Sequence, residues 1–185
     1  MQIARLRSGR PWMGFTRSLA LANCVDFQWV ETEDLWRGHE VHKIVEYLLK
    51  GTLDRSTVPD DRKGYLAAAE KFLRETSFIP TAVEQRVQNL ELRVRGRVDA
   101  AGMMRGRRIV IDFKTGSINP AVALQLCLGG FCLDPNKWWE RSAVLLKSNG
   151  QYSLKNFPLK TWYSDLQTAL GAVRIAQWKL REGLA

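Results

Sequence analysis

The stretch ELRVRGRVDAAGMMRGRRIVIDFKTGSINPAVALQ, Glu91 to Gln125, constrains the chain more than any other. Two β-rich runs flank Arg105-Gly106, and glycine accepts the positive φ that a two-residue hairpin turn needs. The pattern predicts a β-hairpin in which Asp99 faces Asp112 and Arg97 faces Lys114, with opposed Cβ atoms about 5 Å apart. Along RIVIDFK the side chains alternate, so Asp112 and Lys114 share one face while Ile109, Ile111 and Phe113 form the core face. Two carboxylates that close repel unless a cation lies between them, and oxygen ligands at that spacing suit Mg²⁺ or Mn²⁺. Paired acids with a lysine at a sheet edge are equipped for metal-assisted phosphodiester hydrolysis.

The rest of the chain can support such a site. Its 185 residues are 45% hydrophobic and include seven Trp, enough for one well-cored domain over 1–185 and against disorder. A net charge of +9 points to a polyanionic partner, nucleic acid before mere solubility. Cys24, Cys127 and Cys132 form no C-x-x-C pair, so the expectation is buried thiols rather than a zinc ribbon or disulfide framework. No run approaches membrane-spanning length and no signal-peptide pattern opens the chain, so no membrane association and a cytoplasmic location are expected.

In chain order, 1–12 is basic and expected to be extended or partly mobile, with Arg5, Arg7 and Arg10 available to phosphates. A short helix is predicted over 15–24 with Thr16 as its cap, and a longer one from Glu33 to Lys50 ended by Gly51. His42 lies about 20° around that helix from Leu49, on the margin of the apolar stripe, where Glu46 one turn on could orient it; His39 points toward solvent. Asp61 to Thr76 reads as a second amphipathic helix, AVEQRV as the first strand, and WWERSAVLLK and QYSLKNF as later strands joined by Ser148-Asn149-Gly150. A last helix spans Leu159 to Glu182. Arg93, Arg95, Arg97 and Asp99 fall on one face of the second strand; that row reads equally well as a phosphate-tracking surface and as a solvated strand face. Gly96 marks a bend or a close approach by DNA or another backbone. Asn119-Pro120 starts a helix to Leu133 that is apolar on nearly all sides. Within it Gln125 needs a fixed partner, such as Lys114, a water on a metal or a phosphate, since burying a bare amide costs about 1–3 kcal/mol. Trp138 or Trp139 is the candidate for stacking on a nucleotide.

Four motifs occur in order: G-x-x-x-H at Gly38–His42, G-x-V-D at Gly96–Asp99, D-x-K-T-G at Asp112–Gly116, and a helical Gln-Leu at Gln125. Singly each is weak. As an ordered set over about half the chain they resemble the PD-(D/E)xK nuclease superfamily, closest to its RecB-like exonuclease branch. The resemblance implies a restriction-endonuclease-like α/β core, a mixed central sheet flanked by helices, and Mg²⁺- or Mn²⁺-dependent cleavage of DNA in recombination, repair or phage DNA processing. It implies one or two ions held by His42, Asp99, Asp112 and the backbone carbonyl of Phe113, with Lys114 orienting and helping to deprotonate the attacking water and Gln125 beside it. Glu84 resembles the glutamate that often precedes the catalytic aspartate; its plainer reading is a sheet-edge carboxylate paired with an arginine such as Arg95. The family's tyrosine four residues after the glutamine is replaced by Gly129. An iron-sulfur cluster is rejected, since four cysteines would be needed. A sequence-specific endonuclease and a non-catalytic DNA-binding protein on the same fold are the alternatives. By analogy alone, a homo-oligomer and a recombination or single-strand-binding partner protein also belong to the expectation.

Overall fold

The computed structural model describes residues 11–25 and 32–184. Among them, six strands form one mixed sheet: β1 (Met13–Gly14), β2 (Ile79–Asn89), β3 (Val94–Met104), β4 (Arg107–Lys114), β5 (Glu140–Leu146) and β6 (Tyr152–Phe157). The strand β3 is its axis. Along one edge β2 runs antiparallel over nearly its whole length, while on the other edge β1 pairs in parallel with Val94 and Arg95 and β4 pairs antiparallel with Ala100 to Met104. The sheet continues through β5, parallel to β4, and β6, antiparallel to β5. Helix α4 (Val122–Leu133) lies between β4 and β5 in the chain and makes the crossover that two parallel strands require.

Helices cover both faces. On one side α1 (Phe15–Leu21), α4 and α5 (Trp162–Arg181) pack on Val94, Val98, Val110 and Ala143; on the other α2 (Thr32–Lys50) and α3 (Lys63–Thr76) pack on Ala100, Ile111, Phe113 and Val144. Phe72 of α3 meets the Phe113 ring edge-on, centroids 5.9 Å apart. Burying a side chain like Phe113 contributes roughly 1.5–3 kcal/mol, and it anchors the strand that also carries Asp112 and Lys114. This is the mixed, helix-flanked α/β sheet expected from the sequence. No helix among the described residues is long and apolar enough to cross a membrane.

The hairpin forms in the expected register, with Ala100 opposite Ile111 and Met104 opposite Arg107. Arg105 and Gly106 both take positive φ, 51° and 75°, as a type I′ turn demands. Other expectations change. The β3–β4 ladder stops at Ala100–Ile111, so neither Asp99 with Asp112 nor Arg97 with Lys114 forms a cross-strand pair. Val110 is as buried as Ile109 and Ile111, so β4 has core on both faces rather than one. The first main strand runs from Ile79 to Asn89, longer than AVEQRV. Helix α1 follows Gly14 with no side-chain cap, leaving Thr16 inside its first turn. Asn119 Oδ1 accepts from the Ala121 N–H at 2.8 Å, and the α-helix proper begins at Val122. Gly96 makes room for a side chain rather than DNA or backbone: a Cβ there would lie 2.2 Å from the Phe15 ring. Arg5, Arg7 and Arg10 lie outside the described residues. Pro11 is docked: Gln177 Nε2 donates to the carbonyls of Pro11 at 3.2 Å and Leu92 at 2.7 Å.

Candidate active site

The site forms where β3 loses its regular pleat. Val94 and Val98 pack toward α4 and α5, but Ala100 and Met104 pack toward α2 and α3. Strict alternation would put all four on one face, so the phase changes between Val98 and Ala100. Across the ladder, Ala82 and Val87 pack on the same side despite an odd separation, and Glu84 between them has φ +49°. Paired irregularities of this kind turn side chains out of the regular rows. Asp99 keeps the face of Arg95 and Arg97, as read from the sequence, and lines one cleft with Arg97; the phase changes just after it, and of that row Arg93 alone departs, preceding the strand at φ +49°.

Asp99 and Glu84 thereby meet His42 of α2. His42 Nδ1 lies 3.4 Å from Asp99 Oδ2 and 3.8 Å from Glu84 Oε1. Asp99 Oδ2 also accepts the Phe113 backbone N–H at 2.9 Å, which ends the β3–β4 ladder. Phe113 thus joins the site through its N–H, whereas the sequence pointed to its carbonyl. Glu84 Oε2 accepts from Arg97 Nη1 at 3.0 Å, so Arg97, not Arg95, is its arginine partner. Glu46 does not reach His42; it pairs with Lys50 at 2.5 Å on the helix surface.

The second half of the site is built by β4 and α4. Lys114 Nζ donates to Asp112 Oδ1 at 3.1 Å and lies 2.8 Å from Oδ2. Gln125 Nε2 reaches Asp112 Oδ1 at 3.4 Å, so its fixed partner is the aspartate rather than the lysine. Asp112 is 3% exposed, and despite the nearby ammonium its Oδ2 has no hydrogen bond of proper geometry among the described residues. An added Cβ at Gly129 would lie 3.0 Å from Val98 Cγ2, so a tyrosine there would collide with the sheet.

Electrostatics distinguishes the two halves. Burial opposes charge on His42, but Glu84, then Asp99 and Asp112, outweigh it and hold the imidazole up at about 9. Burial, reinforced by repulsion from Asp112, pushes the Asp99 carboxyl to about 7. For Glu84 burial is overcome by His42 and Arg97, which hold it below the usual carboxylate range. For Lys114 burial is overcome by Asp112, which holds the ammonium above the usual lysine range.

These residues border an open cleft of about 580 Å³ whose lining includes His42, Glu84, Arg97, Asp99 and Lys114. Arg37 and His39 line it too; His39 is exposed, as its place on the helix predicts, yet it borders the cleft. A Cβ on Gly38 would sit 3.7 Å from Thr115 Oγ1, which shows how closely α2 approaches the loop after β4. Trp139 is buried at 8% exposure, leaving Trp138, at 67%, as the exposed member of that pair.

The donor set fits a divalent cation. One ligand atom each from His42, Glu84 and Asp99 lie within 4.8 Å of one another. Two ligands each about 2.2 Å from one ion can stand up to about 4.4 Å apart, and the 3.4 and 3.8 Å separations to His42 lie within that span. The under-bonded Asp112 Oδ2 and the raised Asp99 are the features a cation would relieve. The cluster differs from the set inferred from sequence: Glu84 is in it, and Asp112 is engaged by Lys114 beside it.

No family model and no curated protein matches the chain. Among solved structures it is similar to an alkaline exonuclease (LHK-Exo) from Laribacter hongkongensis, at 11% identity and a TM-score of 0.39, over 93% of this chain and 92% of that one.

Proposed function

We propose that the chain is a divalent-metal-dependent nuclease that hydrolyses phosphodiester bonds in DNA, working as an exonuclease in recombination, repair or phage DNA processing. What carries this reading is the convergence of His42, Glu84, Asp99 and Lys114 on one open cleft, with Asp112 buried behind them and paired to Lys114. His42, Glu84 and Asp99 would hold one or two ions, together with Asp112 and the Phe113 carbonyl that the motif resemblance implies. Mg²⁺ suits the carboxylates, and the imidazole inclines the set toward Mn²⁺. Such an ion supplies Lewis-acid chemistry, polarising the phosphate and acidifying water.

The chain's own residues do the rest. Lys114, held as an ammonium by Asp112, donates to a phosphoryl oxygen and orients the attacking water; it is a donor in this state, not a base. Gln125 steadies Asp112, and Arg97 steadies Glu84 through Oε2 while Oε1 faces His42. The exonuclease form is preferred on the motif resemblance.

Digestion of end-labelled linear DNA and of the same DNA as a covalently closed circle tests the reading, with Mn²⁺, Mg²⁺ or EDTA and with wild type and Asp112→Ala. Metal-dependent loss of the linear form only, absent in the variant, is the expected result. Cutting of the circle indicates an endonuclease, and binding without cleavage a non-catalytic DNA-binding protein.

A further inference from the structure

A second groove, of about 610 Å³, adjoins the cleft, and its lining includes Arg86, Gln88, Arg95, Gly96 and Arg97. Arg97 borders both spaces. The groove lies on the part of the β2–β3 ribbon that α2 and α3 leave bare: the core beneath those helices takes in Ala100 and Met104 of β3 but nothing from 94–98. On that bare face the ladder sets Arg86 directly opposite Arg97 and Gln88 directly opposite Arg95, and all four are exposed.

Like charges directly opposed across a ladder destabilise a sheet. Here they are poorly compensated. Arg97 spends one guanidinium nitrogen on Glu84, while Arg86 and Arg95 make no ion pair or hydrogen bond among the described residues. Three guanidinium groups around one open groove, with no carboxylate among the described residues of its lining, complement a row of anions. Val87 and Gly96, the pair between them, face the opposite side, where Val87 is core and Gly96 abuts Phe15, so the rigid β-ribbon fixes the spacing of the arginines.

We propose that this groove holds the phosphate backbone of the nucleic-acid strand flanking the bond in the cleft, with Arg86, Arg95 and Arg97 as its phosphate contacts and Gln88 as a neutral donor between them. The proposal rests on the nuclease reading for the strand's position, but not for the groove's affinity for polyphosphate. Arg97 is the junction: one nitrogen positions Glu84 beside His42, and the remaining donors of its guanidinium serve the first phosphate outside the cleft.

The test is binding of a fluorescent single-stranded oligodeoxynucleotide series of increasing length, in EDTA, across salt concentrations, with wild type, Arg86→Gln, Arg95→Gln and the double variant. Each lost phosphate contact lowers the slope of log affinity against log salt by about 0.7 and weakens binding by about tenfold, and the loss appears only for oligonucleotides long enough to leave the cleft. The thermal midpoint of Arg86→Gln in the absence of DNA does not fall, because the substitution removes a like-charge pair; Arg86→Lys keeps the salt slope. Unchanged affinity and slope in the double variant overturn the proposal. If the variants lose affinity as expected but wild type shows no metal-dependent cleavage, the groove stands and the nuclease reading falls. If wild type cleaves and the variants bind as wild type does, the nuclease reading stands and the groove is not a phosphate site.

Discussion

The two halves of the site solve opposite electrostatic problems. Asp112 is almost fully buried, and Lys114 answers its charge at 2.8 Å from within the same strand. The other half, His42, Glu84 and Asp99, is gathered from α2, β2 and β3. It has two acids and one imidazole, and Asp99 is pushed up to about 7 by burial and by Asp112. A carboxylate balanced by its own lysine is preorganised. A cluster that must borrow protons to be stable is one that a cation completes.

The sharpest way to break that contrast is to remove one acid from each half. Asp112→Ala is expected to lower turnover by at least about 10³-fold and also to destabilise the protein by about 2 kcal/mol, less than a fully buried pair costs because Lys114 is 28% exposed. Asp99→Ala should lose a similar share of turnover without stranding a lysine. Single-turnover rates and urea midpoints, measured on the same samples, separate the two; equal destabilisation would contradict the division.

Proton and metal should compete at the three-residue cluster. The folded His42 value of about 9 lies above the ordinary 6.5, so its contribution to stability is complete below pH 6.5 and is lost as pH rises through 9. Asp99, at about 7 against an ordinary 3.8, likewise contributes below pH 3.8 and ceases to do so as pH rises through 7. The metal-free protein therefore loses stability with rising pH across that window, while a cation that binds the deprotonated ligands stabilises it more. At Mn²⁺ about 100-fold above its dissociation constant the gain is about 2.7 kcal/mol. Thermal melts with Mn²⁺ or EDTA should diverge from pH 6 to pH 9, and parallel curves would count against a metal at His42.

Asp99→Asn sharpens the comparison further. The amide oxygen can still accept the Phe113 N–H, the repulsion with Asp112 disappears, and the metal-free melting point at pH 8 should rise by about 2–4 °C, worth about 1 kcal/mol. The same variant should lose the Mn²⁺-induced shift. The smallest effect belongs to Glu46→Gln: its partner is Lys50, an i,i+4 surface pair worth about 0.3–0.5 kcal/mol, so Mn²⁺ affinity by calorimetry should match wild type. A tenfold loss there would return Glu46 to the site.

Much of this molecule was legible in the chain. The Arg105-Gly106 turn and the strand periods determine the β3–β4 register, because a one-residue slip would exchange the two faces of Ile109, Ile111 and Phe113 for those of Val110 and Asp112. The spacing of Val41 and Val45 puts His42 at the margin of α2's buried face, which is how it reaches Glu84 and Asp99. What misleads is the assumption of unbroken alternation. It makes Asp112 and Lys114 the ladder partners of Asp99 and Arg97, where the ladder in fact ends at Ala100–Ile111, and it gives no sign that Glu84 turns toward His42.

The sequence by itself determined the hairpin, the helical faces, the basic charge and the residue types that could hold a cation, since these follow from turn chemistry, periodicity and composition. Tertiary structure alone decided which acids meet. The pleat changes phase at Glu84 and Asp99, Asp99 takes the Phe113 N–H in place of a ladder bond, and α2 ends its cover at Ala100. Those choices depend on hydrogen bonds and packing between segments far apart in the chain, which no local pattern encodes.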